Sequence, residues 1–168
     1  MPVNEFEEVY NKFKPDVYRF LLGLTYYDCT AAEELTQETF YQAFLSFGKF
    51  RGECSFKTWL FQIAKNIYAK YVHKESRQRD IAARQSDETV PPPTAELEQK
   101  ELLSHLRTLI DELEEPARSI MQYRLYSDQS YAEIGYSLKI RANTAAVIYN
   151  RTVAKLRKAM KERYGYEI

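Results

Sequence analysis

Ser55-Phe-Lys-Thr-Trp-Leu-Phe-Gln-Ile-Ala-Lys-Asn-Ile-Tyr-Ala-Lys-Tyr71 decides the fold class. Phe56, Trp59, Leu60, Ile63, Ala64, Ile67 and Tyr71 recur every three or four positions, the spacing of one helix face, and no alternation of strand type interrupts them. Ser55 suits the capping position before the first helical turn. The outward positions carry Lys57, Lys65, Lys70, Lys74 and Arg77, interleaved with Phe61, Asn66 and Tyr68. Cations neutralise phosphates, while aromatic faces and an amide can hold an unstacked base, so this pattern suits melted DNA. It also describes a solvated basic face over a core that includes the tyrosines, since lysine-rich outer faces are common.

The same periodicity extends toward the N-terminus. Phe6, Val9, Tyr10 and Phe13 share one stripe and Val17, Phe20, Leu21 and Leu24 another, with Pro15 between them predicting a turn or kink. Thr30-Ala-Ala-Glu33 reads as a capping box that opens a helix burying Thr36, Phe40, Ala43, Phe44 and Phe47. The opposite face of that helix carries Glu34, Gln37, Glu38 and Tyr41, a pattern that fits either a basic protein partner or ordinary solvation.

Toward the C-terminus the pattern lapses over residues 76–95, which include Pro91-Pro92-Pro93, and this stretch reads as a linker. Beyond it, Leu102, Leu106, Leu109 and Leu113 form an amphipathic stripe ending near Glu114-Glu115, and Pro116 suits the start of the next helix. Ser130-Tyr-Ala-Glu133 is a second capping box, opening a short helix with Ile134 and Leu138 inside. A turn over Lys139 to Arg141 leads to a long helix reaching about Arg163, which makes a helix-turn-helix candidate. Asn143, Thr144, Val147, Asn150 and Arg151 stand where such a helix touches bases, and Arg141, Lys155, Arg157 and Lys158 where it touches phosphates. An amphipathic basic helix bound to an acidic protein is the competing reading.

Composition sets the outer bounds. With 168 residues and 45% apolar content the chain can bury real cores. Its net charge of zero hides a gradient, because Lys139 to Arg163 holds eight cations against Glu162 alone. The expected architecture is all-α: two small helical domains, residues 1–75 and 96–168, joined by a flexible linker over 76–95, the second containing the helix-turn-helix. No leader pattern and no apolar run of about 18 residues argue for secretion or membrane insertion, so the expected location is cytoplasmic. Cys29 and Cys54 have no metal-ligand spacing and read as reduced thiols. His73 and His105 read as surface residues without catalytic partners. No phosphate loop, nucleotide fingerprint or nucleophile elbow occurs, so no catalytic residue, metal or cofactor is expected, and the chain is not expected to be an enzyme.

Taken together, these stretches resemble the extracytoplasmic-function (ECF) sigma factors of the sigma-70 family. Ala32 to Phe44 is similar to the family's polymerase-clamp-binding region, and Phe50 to Asn66 to its promoter-melting region. Leu113 to Arg118, Ser130 to Ile134 and the helix from Asn143 resemble its domain for the upstream promoter element. The resemblance implies that Glu34, Gln37, Glu38 and Tyr41 meet core RNA polymerase. It implies that Ser55, Phe56, Lys57, Trp59, Lys65, Asn66, Tyr68 and Lys70 surround the minus-ten element and hold a flipped base. Arg141, Asn143, Thr144, Val147, Asn150, Arg151 and Lys155 would then read the minus-thirty-five element of promoter DNA, and linker acids including Asp87 and Glu88 would mimic nucleic acid. An anti-sigma protein is implied as a further partner. The chain departs from the family where Ala146 and Ile148 replace frequent cations and Lys139 a frequent turn glycine. An autonomous helix-turn-helix regulator, or a module that sequesters a partner through its acidic and aromatic faces, are the rival readings.

Overall fold

A computed structural model describes the backbone of residues 3–82 and 95–166, and the side chains of 6–77 and 100–166. The elements are α1 (Val3–Leu24), α2 (Cys29–Ser46), a short 3-10 turn (Phe47–Lys49), α3 (Phe56–Ala82), α4 (Ala95–Asp111), α5 (Ala117–Tyr126), α6 (Tyr131–Leu138) and α7 (Ala142–Tyr164). There is no strand among the described residues. Asp87, Glu88 and Pro91 to Pro93 lie outside them.

Helix α1 passes through Pro15 without a break. The proline lacks an N–H and so forgoes one backbone bond. Tight burial of Val17, Phe20, Leu21 and Leu24 on the following turns keeps the helix in register. Helix α2 corrects the first capping-box expectation. Its cap is Asp28, whose carboxylate accepts the Ala31 amide at 3.0 Å, so Thr30 already lies inside the helix. Asp28 reaches the orphan amide first, and Glu33 is drawn instead to Lys14 of α1 at 3.1 Å. Thr36, Phe40 and Ala43 face the core as expected, but Phe44 is 45% exposed.

Ser55 caps α3, its hydroxyl accepting the Thr58 amide at 3.1 Å. The helix then continues to Ala82, past the boundary expected at residue 76. In the second half, Ser130 and Glu133 do form the reciprocal box. The turn over residues 139–141 is tight. Lys139 adopts a left-handed conformation (φ 57°, ψ 39°), which costs a non-glycine residue on the order of 1 kcal/mol. A Cβ at Gly135 would stand 2.7 Å from the Ile140 carbonyl oxygen, so this close return requires glycine.

Two cores hold the chain. Leu109, Ile110, Leu113, Met121, Leu156 and Met160 join α4, α5 and α7. The larger core is shared by both halves: Phe20 of α1 packs edge-on to Phe61 of α3 at 4.9 Å and stacks on Tyr123 of α5 at 5.4 Å, with Ile134 buried beside them. Phe61 and Tyr68, expected on an outward face of α3, are therefore inside, 1% and 9% exposed. Phe61 is covered by Phe20 of α1 within a core that the second half completes, which helical phase within α3 cannot reveal.

Candidate nucleic-acid and partner interface

Three helix faces gather the residues singled out from the sequence. On α2, Glu34, Gln37, Glu38 and Tyr41 are all exposed along one side. Phe44 and Leu45, 45% and 58% exposed, extend that side into an acidic surface with an apolar border. Leu45 lies four residues after Tyr41 and seven after Glu38, so helical spacing alone would have found it.

Helix α3 divides its candidates. At about 100° per residue, Trp59, Asn66 and Lys70 fall on one face, while Lys57, Lys65 and Tyr68 fall on nearly the opposite one. Ser55 and Phe56 at the helix start lie on the first side. The loop before them is built on aromatic contacts, with Phe50 set 5.4 Å from Phe56 and 5.1 Å from Trp59, and Phe56 5.2 Å from Trp59. Trp59 is half-buried in this cluster, and Asn66 and Lys70 are exposed. His73, Lys74 and Arg77, also exposed, continue the same face and share an open groove with Lys70.

The opposite face of α3 meets the second half. Lys57 bridges Asp16 of α1 at 2.7 Å and Asp128, beyond α5, at 2.9 Å. Thr58 donates to Glu133 at 3.2 Å and Gln62 to Ser137 at 3.3 Å. Lys65 donates to the Gln122 side chain and is largely buried. Desolvation pushes its ammonium down to about 8, opposed by the carboxylates of Glu115 and Asp111 and assisted by Arg118. Burial raises the Tyr68 hydroxyl well above the usual phenol range. Beside these groups a cleft of about 620 Å³ separates α3 from α4 and α5, lined by Tyr26, Lys65, Tyr68, Asp111, Glu115 and Arg118 among others.

On α7, Asn143, Thr144, Val147, Asn150, Arg151 and Lys155 share an exposed side, with Arg141 exposed at the cap. Ala145, Thr152, Leu156 and Met160 face inward behind them. Val147 is 47% exposed, an apolar contact available at the centre of a polar face. From behind, Arg124 of α5 lies 4.9 Å from the Tyr131 ring and 5.8 Å from the Tyr149 ring, tying α6 and α7 to the rest of the second half.

The remaining sequence candidates carry no reactive arrangement. Cys29 and Cys54 are free thiols. His105 is not a plain surface residue, because its ring stacks on Tyr164 at 3.8 Å. No cluster of potential metal ligands and no helix long and apolar enough to cross a membrane occurs among the described residues.

Known proteins resemble this chain in sequence and in fold. Residues 9–78 match the family model for Sigma-70 region 2. The chain is 30% identical over 148 residues to the ECF RNA polymerase sigma factor SigM of Bacillus subtilis (strain 168), covering 85% of this chain and 88% of that protein. It is 25% identical over 164 residues to the ECF RNA polymerase sigma factor SigX of the same organism, covering 92% and 83%. Among solved structures, the sigma factor RpoE in complex with the anti-sigma factor NepR from Bartonella quintana superposes with a TM-score of 0.65 at 21% identity, over 95% of this chain and 99% of that one. CnrH in complex with the cytosolic domain of CnrY gives a TM-score of 0.63 at 15% identity, over 93% and 87%. These two likenesses concern the fold. With its sequence relatives spanning both halves, the chain belongs to the ECF sigma factors of the sigma-70 family of RNA polymerase subunits.

Proposed function

We propose a division of labour for this sigma factor in which each exposed helix face takes a different partner. Residues 1–75 and 96–168 act as separate functional units, linked through 76–95. Glu34, Gln37, Glu38 and Tyr41 of α2, with Phe44 and Leu45, dock core RNA polymerase, their carboxylates suiting a basic surface. Ser55, Phe56, Trp59, Asn66 and Lys70 hold the melted minus-ten element and capture one unstacked base, the aromatic cluster offering a stacking wall and Asn66 an amide for a base edge. Lys74 and Arg77 continue that face as phosphate contacts on adjoining duplex. Lys57, Lys65 and Tyr68 belong to the other side of α3 and are not assigned to the base pocket.

Helix α7 reads the minus-thirty-five element from the side bearing Arg141, Asn143, Thr144, Val147, Asn150, Arg151 and Lys155. Val147 matches a thymine methyl, which offsets the scarcity of cations where Ala146 and Ile148 stand. The observation that carries the reading is the segregation of these sets: every α2 and α7 candidate is exposed, on the side of its helix away from the core. The chain performs no covalent chemistry itself, acts in the cytoplasm where the polymerase works, and is held in check by an anti-sigma protein, a reading supported by the similarly folded sigma factor RpoE in complex with the anti-sigma factor NepR.

Run-off transcription with bacterial core polymerase on fragments of the source genome tests this. Glu38→Lys abolishes promoter-dependent transcripts by removing polymerase binding, and Asn66→Ala weakens them with polymerase binding intact. Duplex binding by the chain alone, with no transcript from any fragment, would overturn the proposal.

A further inference from the structure

Helix α7 is fixed to its neighbours in the second half at two places that differ in kind. The first is the turn before it. The Ile140 amide donates to the Gly135 carbonyl at 2.9 Å, and Gly135 has no room for a side chain there, so the backbone alone sets the start of α7 against α6. The second is Arg124 of α5. Its Nη1 donates to the Gln129 carbonyl at 3.0 Å, and its guanidinium carbon stands 4.9 Å from the Tyr131 ring at the start of α6 and 5.8 Å from the Tyr149 ring within α7. The two rings are 6.0 Å apart at 57°. One planar cation on α5 thus reaches both α6 and α7.

Where this contact falls along α7 decides what it can control. Asn150 and Arg151 directly follow Tyr149 and are exposed, while Asn143 and Thr144 are exposed in the first turn after the Arg141 cap. At 1.5 Å per residue Asn150 stands about 13 Å along the axis from that cap, and Asn143 about 3 Å. A tilt of roughly 5° about the turn therefore moves Asn150 by about 1 Å and Asn143 by only about a quarter as much. A displacement of about 1 Å takes a hydrogen bond from its best length to beyond its useful range. Apolar contacts behind α7 resist such a tilt weakly, because they have no direction. A guanidinium held by a carbonyl and two ring faces has one.

Gln129 separates this role from plain stability. Its side chain is 2% exposed, yet neither amide atom is hydrogen-bonded, and the Nε of Arg124 is likewise buried without a partner. An orphaned buried amide is a net cost to the fold. Arg124 uses only the backbone carbonyl of residue 129, which every amino acid supplies, so the amide can be removed with the contact left in place.

We propose that Arg124 is a positioning residue for promoter recognition: without meeting DNA itself, it holds the middle of α7 so that Asn150 and Arg151, far more than Asn143 and Thr144, meet their base pairs. This rests on the reading of α7 given above.

The test uses the full chain assembled with core polymerase, and duplex fragments of one promoter recovered from the source genome that carry every single base-pair change across the upstream element. Competition among them reads preference position by position, on the order of tenfold for each base pair that a side chain recognises. Asn143→Ala and Arg151→Ala first mark the base pairs read by each end of the face. Arg124→Met then lowers preference to about twofold or less at the base pair marked by Arg151, and leaves the one marked by Asn143 near its native value. Arg124→Lys, which keeps a cation above the rings, falls between. Gln129→Leu raises the denaturation midpoint with preference unchanged, and adding it to Arg124→Met raises that variant's midpoint without restoring preference. Equal loss at both base pairs, or preference recovered together with the midpoint in the double variant, would show that Arg124 only stabilises the fold and would overturn the proposal. Native preference surviving in Arg124→Met overturns it too. A native holoenzyme indifferent to every upstream change, while still bound to polymerase and active from the downstream element, instead removes the reading of α7 and the proposal with it.

Discussion

Helices α3 and α7 are both long and rich in cations, yet they place them differently. On α7 every candidate residue from Asn143 to Lys155 is exposed, and the apolar positions line up behind them as helical spacing requires. On α3 the cations part into two sets. Lys70, Lys74 and Arg77 stay in solvent, whereas Lys57 bridges Asp16 and Asp128, and Lys65 is enclosed against Gln122. A basic face is therefore a reliable sign of a free surface only where its helix has apolar contacts on one side. Helix α3 has them on two, one toward α1 and α2 and one toward α6.

The largest expected effect tests the buried side of α3. Phe61→Ala removes a ring packed on Phe20 and should cost about 3–5 kcal/mol in chemical denaturation. A loss below 1 kcal/mol would mean that Phe61 is solvated and that the two helices do not differ as described.

A smaller effect concerns Lys65. Its ammonium is pushed down to about 8 in the folded chain from an ordinary 10.5. The unfolded state thus binds more protons between those values, so stability rises with pH across that window and the penalty is fully present below pH 8. The gain is on the order of 2 kcal/mol near pH 10. The raised phenols of Tyr26, Tyr68 and Tyr123 act with opposite sign above pH 10, where the unfolded chain ionises first. Denaturation midpoints followed from pH 7 to 10 should climb for the native chain and stay level for Lys65→Met; parallel curves would show that Lys65 remains hydrated.

The smallest stability change belongs to α7. Arg151→Ala and Lys155→Ala should each move stability by no more than about 0.5 kcal/mol. Their effects should appear in promoter binding: Arg151→Ala relaxes base preference at one position by about 1–3 kcal/mol, and Lys155→Ala weakens all sequences alike with a shallower salt dependence. If both variants change only the salt dependence, α7 holds the backbone and does not read sequence.

The two capping-box patterns show what the sequence could disclose. Ser130-Tyr-Ala-Glu133 forms because Glu133 has an oxygen for each set of donors, Oε2 accepting from Ser130 and Oε1 from Thr58. Thr30-Ala-Ala-Glu33 does not, because Asp28 precedes it and Lys14 takes Glu33. Periodicity likewise locates α2, α3, α4, α6 and α7, and the exposed faces of α2 and α7 with them, but it predicts a turn or kink at Pro15 where α1 runs unbroken, and α5 is marked only by Pro116 at its start. The inward turn of Phe61, the double bridge of Lys57 and the approach of Tyr126 to Gly23 depend on residues roughly 40 to 100 positions away along the chain. No local spacing encodes such pairings.

Gly23 carries a consequence for heredity. Every missense change in a glycine codon adds a side chain, and here any addition presses on Tyr126. Random mutation at this codon can loosen the union of the two halves but has no way to tighten it.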